Sequence, residues 1–270
     1  MKHLFDDIHG LRQKICNRHI MLFLDYDGTL APIAFTPNKA TITDINRALL
    51  RRLSKCRTIK LAIISGRSLK DIKGMVRIKG ITYSGNHGLE IEGPRIKFTA
   101  PMPAGYMTAL RRIKNRLSAE LSSIKGVLIE DKGHVLSLHY RLINRKKIPL
   151  VRTVFHETVI FYLAKGRISV KPGKKVVEVR PPVRWDKGKA VLWILARQRL
   201  GLKRKPLTAI YIGDDITDED AFKALRGRGL GVFVGSPRPS FAGYYLRGPG
   251  EVTRFLKLIL KAQRGVACRN

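Results

Sequence analysis

The stretch LTAIYIGDDITDEDAF, residues 207–222, changes character halfway along. Its first half is an apolar run rich in β-formers. Its second half sets four aspartates and a glutamate within the ten positions 213–222. A strand buried on both faces reads as such a run, and the polar residues where it stops lie at its carboxyl end. The acids stand out because the chain avoids them: 53 Lys and Arg face 20 Asp and Glu, a formal charge of +33. With DYD at 25–27, this stretch holds seven of the twenty acids: Asp25, Asp27, Asp214, Asp215, Asp218, Glu219 and Asp220. A solvated charged face normally mixes signs. Neither acidic stretch contains a Lys or Arg, so the two are read as parts of one site.

The same pattern occurs twice more. HIMLFLDYD (19–27) is an apolar run that stops at Asp25, and TIKLAIISGR (58–67) ends in Ser65, Gly66 and Arg67. Segments 43–55, 68–75, 187–200 and 218–226 place apolar residues at helical spacing. Strands alternating with helices predict a parallel α/β sheet, and in such sheets ligands bind at the carboxyl ends of the strands. The three polar ends therefore converge. Carboxylates at 25 and 27 and a second group at 214, 215 and 218 would repel one another in a crevice unless a cation sits between them. Hard oxygen donors with no paired His or Cys nearby favour Mg²⁺ over zinc or copper.

Length and composition bound the rest. A chain of 270 residues with 44% apolar content can bury a core, as one large domain or two modest ones. Cys16, Cys56 and Cys268 are odd in number, far apart and without CxxC spacing, so neither a disulfide framework nor a zinc site is implied, and a reducing compartment is expected. MKHLFDDIHG at the start carries two acids and no long apolar stretch. No segment approaches the ~20 apolar residues that span a bilayer. The expectation is a soluble, cytoplasmic protein with no membrane partner.

Between ISGR and DKGKA lies more chain than the sheet needs, bracketed by TAPMPAG and VRPPVRW, whose prolines suggest hinges. Within it, 105–123 and 149–165 read as helices, and GVLIE, HVLSLHYR, RISV and KVVEVR as strands. That predicts a small inserted α+β domain over 104–183, with the core formed by 1–103 and 184–270. The insertion carries +12 of the surplus charge, so the excess is spread over both parts.

Four ordered motifs, DYDGTLAPI, ISGR, the lysine of DKGKA and GDDITDEDAF, resemble those of the haloacid dehalogenase superfamily of phosphoryl-transfer enzymes. The resemblance implies a Rossmann-like core with a parallel sheet and an inserted cap. It implies Asp25 as the nucleophile that attacks phosphorus and forms an aspartyl-phosphate, a recognised role for a carboxylate. Asp27 would protonate the leaving oxygen and then take a proton from water, work that suits a raised pKa. Gly28 lets the loop turn sharply. Ser65 and Lys187 would grip the phosphoryl oxygens. Asp214 would ligate Mg²⁺ beside Asp25 and the Asp27 carbonyl, with Asp215 and Asp218 acting through water or by orienting neighbours. Two of these roles have rivals in the sequence. Lys189 or Lys175 could stand in for Lys187, which is favoured by its place at the start of a helix. Ser65 could merely cap the helix that begins near Ser68.

The insertion narrows the resemblance. GNHGLEI, EDKG followed by HYR, and VVEVRPP followed by DKGKA look like trehalose-6-phosphate phosphatases, over about residues 20–260. That implies Glu130, Lys132 and Glu178 as ligands of the glucose that carries no phosphate. Gly66, Arg67, Asn86, His87, His139 and Arg141 are further substrate-binding candidates. Glu130 and Glu178 are two of five acids in the insertion, and the rival reading for both is an ordinary salt bridge with abundant Lys and Arg neighbours. The implied reaction is Mg²⁺-dependent hydrolysis of trehalose 6-phosphate. Phosphatases for sucrose 6-phosphate or a glycosyl-phosphoglycerate are the alternatives. The surplus charge is unusual for this family. It fits attraction of an anionic substrate, binding of nucleic acid or another polyanion, or an unusual ionic interior, although no nucleic-acid motif or aromatic platform is visible. Oligomeric state is open.

Overall fold

A computed structural model describes residues 1–33, 40–173, 175–200 and 205–263. The chain folds as two compact units, one from 1–99 with 185–270, the other from 100–184.

The first unit is built on a sheet of nine strands: β1 (Lys2–His3), β2 (His19–Leu24), β3 (Ile59–Ile64), β4 (Thr82–Gly85), β5 (Glu90–Gly93), β6 (Ile96–Thr99), and, after the second unit, β11 (Leu207–Gly213), β12 (Gly229–Val234) and β13 (Tyr244–Leu246). Their order across the sheet is β1-β13-β12-β11-β2-β3-β4-β5-β6. Every pairing is parallel from β1 through β4, but β4–β5 and β5–β6 are antiparallel. The expected parallel sheet thus carries an antiparallel hairpin at one edge. Its strands are four residues each and half polar, EIEG and IKFT, too short and too mixed to read as apolar runs.

β2 shows why the sheet is central. Ile20, Leu22 and Leu24 belong to one core and Met21 and Phe23 to another, so both faces are dry. The first core is roofed by α1 (Ile8–Ile15), α2 (Asp44–Ser54), α3 (Leu69–Val76) and α8 (Pro249–Gln263). The second is roofed by α6 (Lys187–Arg199) and α7 (Glu219–Leu225). Burying each such side chain contributes about 1.5–3 kcal/mol, and alternation along a strand feeds both layers at once. Register then aligns the strand ends: Leu24 lies opposite Ile63 on β3 and Ile212 on β11. Asp25, Ser65 and Asp214 therefore leave the sheet at nearly one level.

The second unit packs α4 (Tyr106–Glu120) and α5 (Ile148–Ala164) on a four-stranded antiparallel sheet of β7 (Leu128–Asp131), β8 (Leu136–His139), β10 (Val176–Arg180) and β9 (Ser169–Gly173), in that order. Tyr106, Ile113 and Leu117 from α4 and Val151 and Phe155 from α5 meet Leu136, Leu138 and Val179 from the sheet. Each helix and strand expected in the insertion is present, within a few residues.

Two further points bear on the sequence reading. No helix among the described residues is long and apolar enough to cross a membrane. Cys56 is a free thiol, and Cys268 lies outside the described residues.

Candidate active site

β2 carries its ladder one residue past its end, where the Asp25 amide donates to Ile212 O at 2.9 Å. The chain then turns through Gly28 at φ +75. A side chain at Gly28 would have its Cβ 2.0 Å from Asp214 Oδ2, so glycine alone allows this loop to close on the acidic stretch. Gly213 has the same function toward Asp218, whose carboxylate would sit 2.4 Å from an added Cβ.

What these close approaches assemble is a buried charged cluster. Asp25 is 4%, Lys187 3% and Asp218 0% exposed. Lys187 Nζ donates to Asp25 Oδ1 at 2.8 Å and to Asp218 Oδ1 at 2.7 Å. Lys187 is placed by the first turn of α6, where Asp186 caps the helix by accepting from the Lys189 amide at 2.8 Å. Gly188 beside it lets α6 approach the Asp220 backbone of α7. Lys187, and neither Lys189 nor Lys175, is the lysine in this cluster; the latter two are exposed.

One carboxylate oxygen each from Asp25, Asp214 and Asp218 lies within 4.8 Å of the others. Burial, joined by repulsion from Asp218 and Asp214, holds the Asp25 carboxyl well above the usual range despite the Lys187 ammonium. Burial and Asp218 push Asp214 up to about 7. Burial by itself would lower Lys187, but Asp218 and Asp25 outweigh it and keep the ammonium charged. Ionised together, three carboxylates against one ammonium would leave negative charge uncompensated in a dry setting. Asp214 Oδ1 is buried with no hydrogen-bond partner. An oxygen-only donor set with an orphaned carboxylate oxygen fits a hard divalent cation such as Mg²⁺.

The other acidic candidates sit differently. Asp215 is exposed; its carboxylate caps the turn 216–218, which closes as a reciprocal capping box with Asp218. Of the two, only Asp218 joins the cluster. Asp27 has its own partner: Arg67 Nε donates to Oδ2 at 2.7 Å and Nη2 to Oδ1 at 2.5 Å.

Around β3's end, Ser65 is buried, and its Oγ accepts from the Arg67 amide at 3.1 Å. It does not cap α3; Ser68 does, accepting from the Asp71 amide. Gly66 sits against the His87 ring, which an added Cβ would meet at 2.5 Å. Asn86 and His87 both take positive φ, at 51 and 56. Their amides are tied to Arg67 O and Ser65 O at 2.7 and 2.9 Å, and Asn86 Nδ2 donates to Glu90. The two loops form one braced wall beside Ser65.

In the second unit, Glu130, Ser137 and Glu178 occupy one row across β7, β8 and β10, so their side chains share a face. Glu178, 7% exposed, accepts from Lys132 Nζ at 2.9 Å and Ser137 Oγ at 3.0 Å on one oxygen and from Arg180 on the other. Glu130 pairs with His139 Nε2 at 2.8 Å and lies 3.8 Å from Lys132. Arg141, two residues beyond β8, is exposed. Sequence reasoning missed Ser137 and Arg180 here, and Tyr211 in the first unit, whose hydroxyl lies 2.6 Å from Asp218 Oδ1. The sequence does hold a signal for Tyr211: it is the polar-tipped member of a buried run, two residues before the strand end, on the same face as Gly213.

Comparison with known proteins agrees with this geometry. The family model for trehalose-phosphatase matches residues 23–247. A relative from Arabidopsis thaliana, trehalose-phosphate phosphatase B, is 34% identical over 277 aligned positions, covering 97% of this chain and 71% of that protein. Among solved structures, the C-terminal domain of a C. albicans trehalose-6-phosphate phosphatase has the same fold, with TM-score 0.77 at 24% identity, over 96% of this chain and 98% of that one. A haloacid dehalogenase-like hydrolase from Bacteroides thetaiotaomicron aligns with TM-score 0.61 at 18% identity, over 90% and 100%. The chain belongs to the trehalose-phosphatase family, phosphoric monoester hydrolases on a haloacid dehalogenase-like core.

Proposed function

We propose that this protein hydrolyses trehalose 6-phosphate to trehalose and phosphate, using Mg²⁺ and a covalent aspartyl-phosphate on Asp25. The observation that carries the reading is the buried Asp25–Lys187–Asp218 cluster with Asp214 beside it, at the aligned ends of β2 and β11. Asp25 attacks phosphorus through a carboxylate oxygen; a P–O bond forms as the bond to the sugar oxygen breaks. Asp27 gives its proton to that leaving oxygen. Water then attacks the acyl phosphate, Asp27 takes the proton back, and phosphate departs with the Asp25 carboxylate restored. Lys187 and the Ser65 hydroxyl hold the phosphoryl oxygens as charge builds on them. Asp25, Asp214 and the Asp27 carbonyl would hold Mg²⁺, with Asp218 beside them holding Lys187 in place. When bound, the cation supplies charge neutralisation between the anionic nucleophile and the phosphoryl group.

The unit 100–184 acts in this reading as the cap. Glu130, Lys132 and Glu178 bind hydroxyls of the second glucose, with His139 and Arg141 as weaker contributors, and Gly66, Arg67, Asn86 and His87 line the phosphoryl side. The test is phosphate release from a panel of trehalose 6-phosphate, sucrose 6-phosphate and a glycosyl-phosphoglycerate, with and without Mg²⁺. Fastest turnover of trehalose 6-phosphate, lost on chelation, supports the reading. Preference for another member reassigns the substrate, and undiminished turnover in chelator removes the cation.

A further inference from the structure

The surplus charge has a concentrated focus far from the candidate active site. A groove of approximately 830 Å³ opens at the amino ends of β3 and β4, lined by Lys55, Arg57, Lys60, Arg95 and Arg197. No acidic side chain among the described residues lines it, and none of these five cations has an acidic partner there. All five are exposed. Ile59, Ile81 and Ile96 add apolar surface to its lining.

Helix ends account for part of this charge. Lys55 and Arg197 stand at or near the carboxyl ends of α2 and α6, where a cation meets unpaired carbonyls favourably. Arg57, Lys60 and Arg95 have no such reason: they come from a turn, a strand and a hairpin turn. Arg95 is held at φ +61 after Pro94, the turn position that suits glycine, so its side chain is kept there against backbone preference. Like charges gathered round a concavity focus a positive potential into it.

The groove does not serve the phosphoryl site directly. β3 runs six residues from Ile59 to Ile64, so its ends stand roughly 20 Å apart at about 3.3 Å per residue. Ser65 lies at one end and Arg57 at the other. Exposed charges separated by more than ~10 Å are screened at 0.1 M salt.

We propose that this groove is a second binding site, for a small ligand carrying several adjacent phosphates. Its size falls within the ~300–1,000 Å³ of small-molecule sites, and a lining that mixes cations with apolar side chains suits a ligand with a compact apolar part and a phosphate chain. Lys55, Arg57 and Lys60 follow one another along one stretch of backbone, and Arg95 and Arg197 come in from other elements, so three separate parts of the chain bring cations to one cavity. A stripe would suit the continuous backbone of a nucleic acid.

The test uses the full chain and two probes, inorganic tripolyphosphate and ATP, titrated without Mg²⁺ in about 0.1 M salt. Arg57→Gln/Lys60→Gln/Arg95→Gln is compared with Lys125→Gln/Lys146→Gln/Lys147→Gln, which removes equal charge from exposed positions of the other unit. Circular dichroism and the Tm verify that both variants fold. The groove variant should weaken both probes by roughly tenfold or more, about 1.4 kcal/mol per decade, with kcat/KM on the sugar phosphate unchanged. The control variant should bind like wild type. Equal weakening by both variants means a diffuse field and overturns the site, as does an unsaturable wild-type titration. Binding of a single-stranded oligonucleotide through these residues while tripolyphosphate fails to bind also overturns it, in favour of a nucleic-acid surface.

Discussion

Arg67 grips Asp27 at two points, Nε to Oδ2 at 2.7 Å and Nη2 to Oδ1 at 2.5 Å. The guanidinium also lies over the Tyr26 ring, 5.5 Å from its centroid. A planar fork fixes a carboxylate's orientation in a way an ammonium cannot. If Asp27 is the proton carrier, Arg67 is a positioning residue that aims it. Arg67→Lys should lower kcat by roughly tenfold, about 1.4 kcal/mol of barrier, with little change in KM. A rise in KM at constant kcat would instead make Arg67 a substrate ligand.

Asp25→Asn should fold normally yet turn over below about a thousandth of the wild-type rate, a barrier increase of ~4 kcal/mol. An amide cannot attack phosphorus. The protein should also fail to trap radiolabelled phosphate after acid quench, whereas wild type should retain it on one aspartate. Label retained in the variant would place the covalent step elsewhere.

The carboxylate cluster should make stability depend on pH and, if it holds a cation, on that cation. The Asp214 carboxyl, raised from 3.8 to about 7 by burial and by Asp218, binds its proton more tightly folded than unfolded. Over that window the folded state therefore holds more protons, and the stability of the cation-free protein should fall as pH rises from about 4 to about 7. Mg²⁺ favours the ionised form, so adding it near neutral pH should release protons and raise the Tm. Asp214→Asn should abolish the cation effect and remove its own share of the pH dependence, leaving the share carried by the raised Asp25 carboxyl. Thermal melts across pH with and without Mg²⁺ test this, and a cation-independent Tm in the wild type would count against the site.

How much of this could be read beforehand follows from where each signal resides. Asp25, Ser65 and Asp214 were legible because each ends an apolar run, and parallel strands bring such ends together. The separation of Asp215 from Asp218 was not: three residues apart in one acidic stretch, they differ only in that one faces solvent as a cap and the other turns under Tyr211. Lys187 is favoured over Lys189 by its place at the start of α6, and the rotation of α6, which packing sets, turns it toward Asp25 and Asp218. Long-range partners were hidden altogether. Nothing local to Glu178 announces Ser137, which reaches it only through the β8–β10 register. The rival reading of Glu130 and Glu178 as ion-paired residues is met in the geometry, yet pairing with neighbours is also how a binding carboxylate is held in place.

That double character shapes the test of specificity. Glu178 is 7% exposed and accepts from Lys132, Ser137 and Arg180, so Glu178→Ala takes a shared carboxylate from all three and should destabilise the second unit. Its activity loss would then be ambiguous. Glu130 is the cleaner probe, because its side chain is 23% exposed and its close partner is the equally accessible His139. Glu130→Ala should leave the Tm within a few degrees. If Glu130 reads the second glucose, removing it leaves a sugar hydroxyl desolvated and unpaired, at a cost of about 1–3 kcal/mol. By the rule of about 1.4 kcal/mol per decade, kcat/KM for trehalose 6-phosphate should fall roughly tenfold or more. Hydrolysis of a small aryl phosphate, which has no second sugar, should be nearly unchanged. Equal losses on both substrates would make Glu130 a structural partner of His139, and recognition of the disaccharide would have to come from other residues.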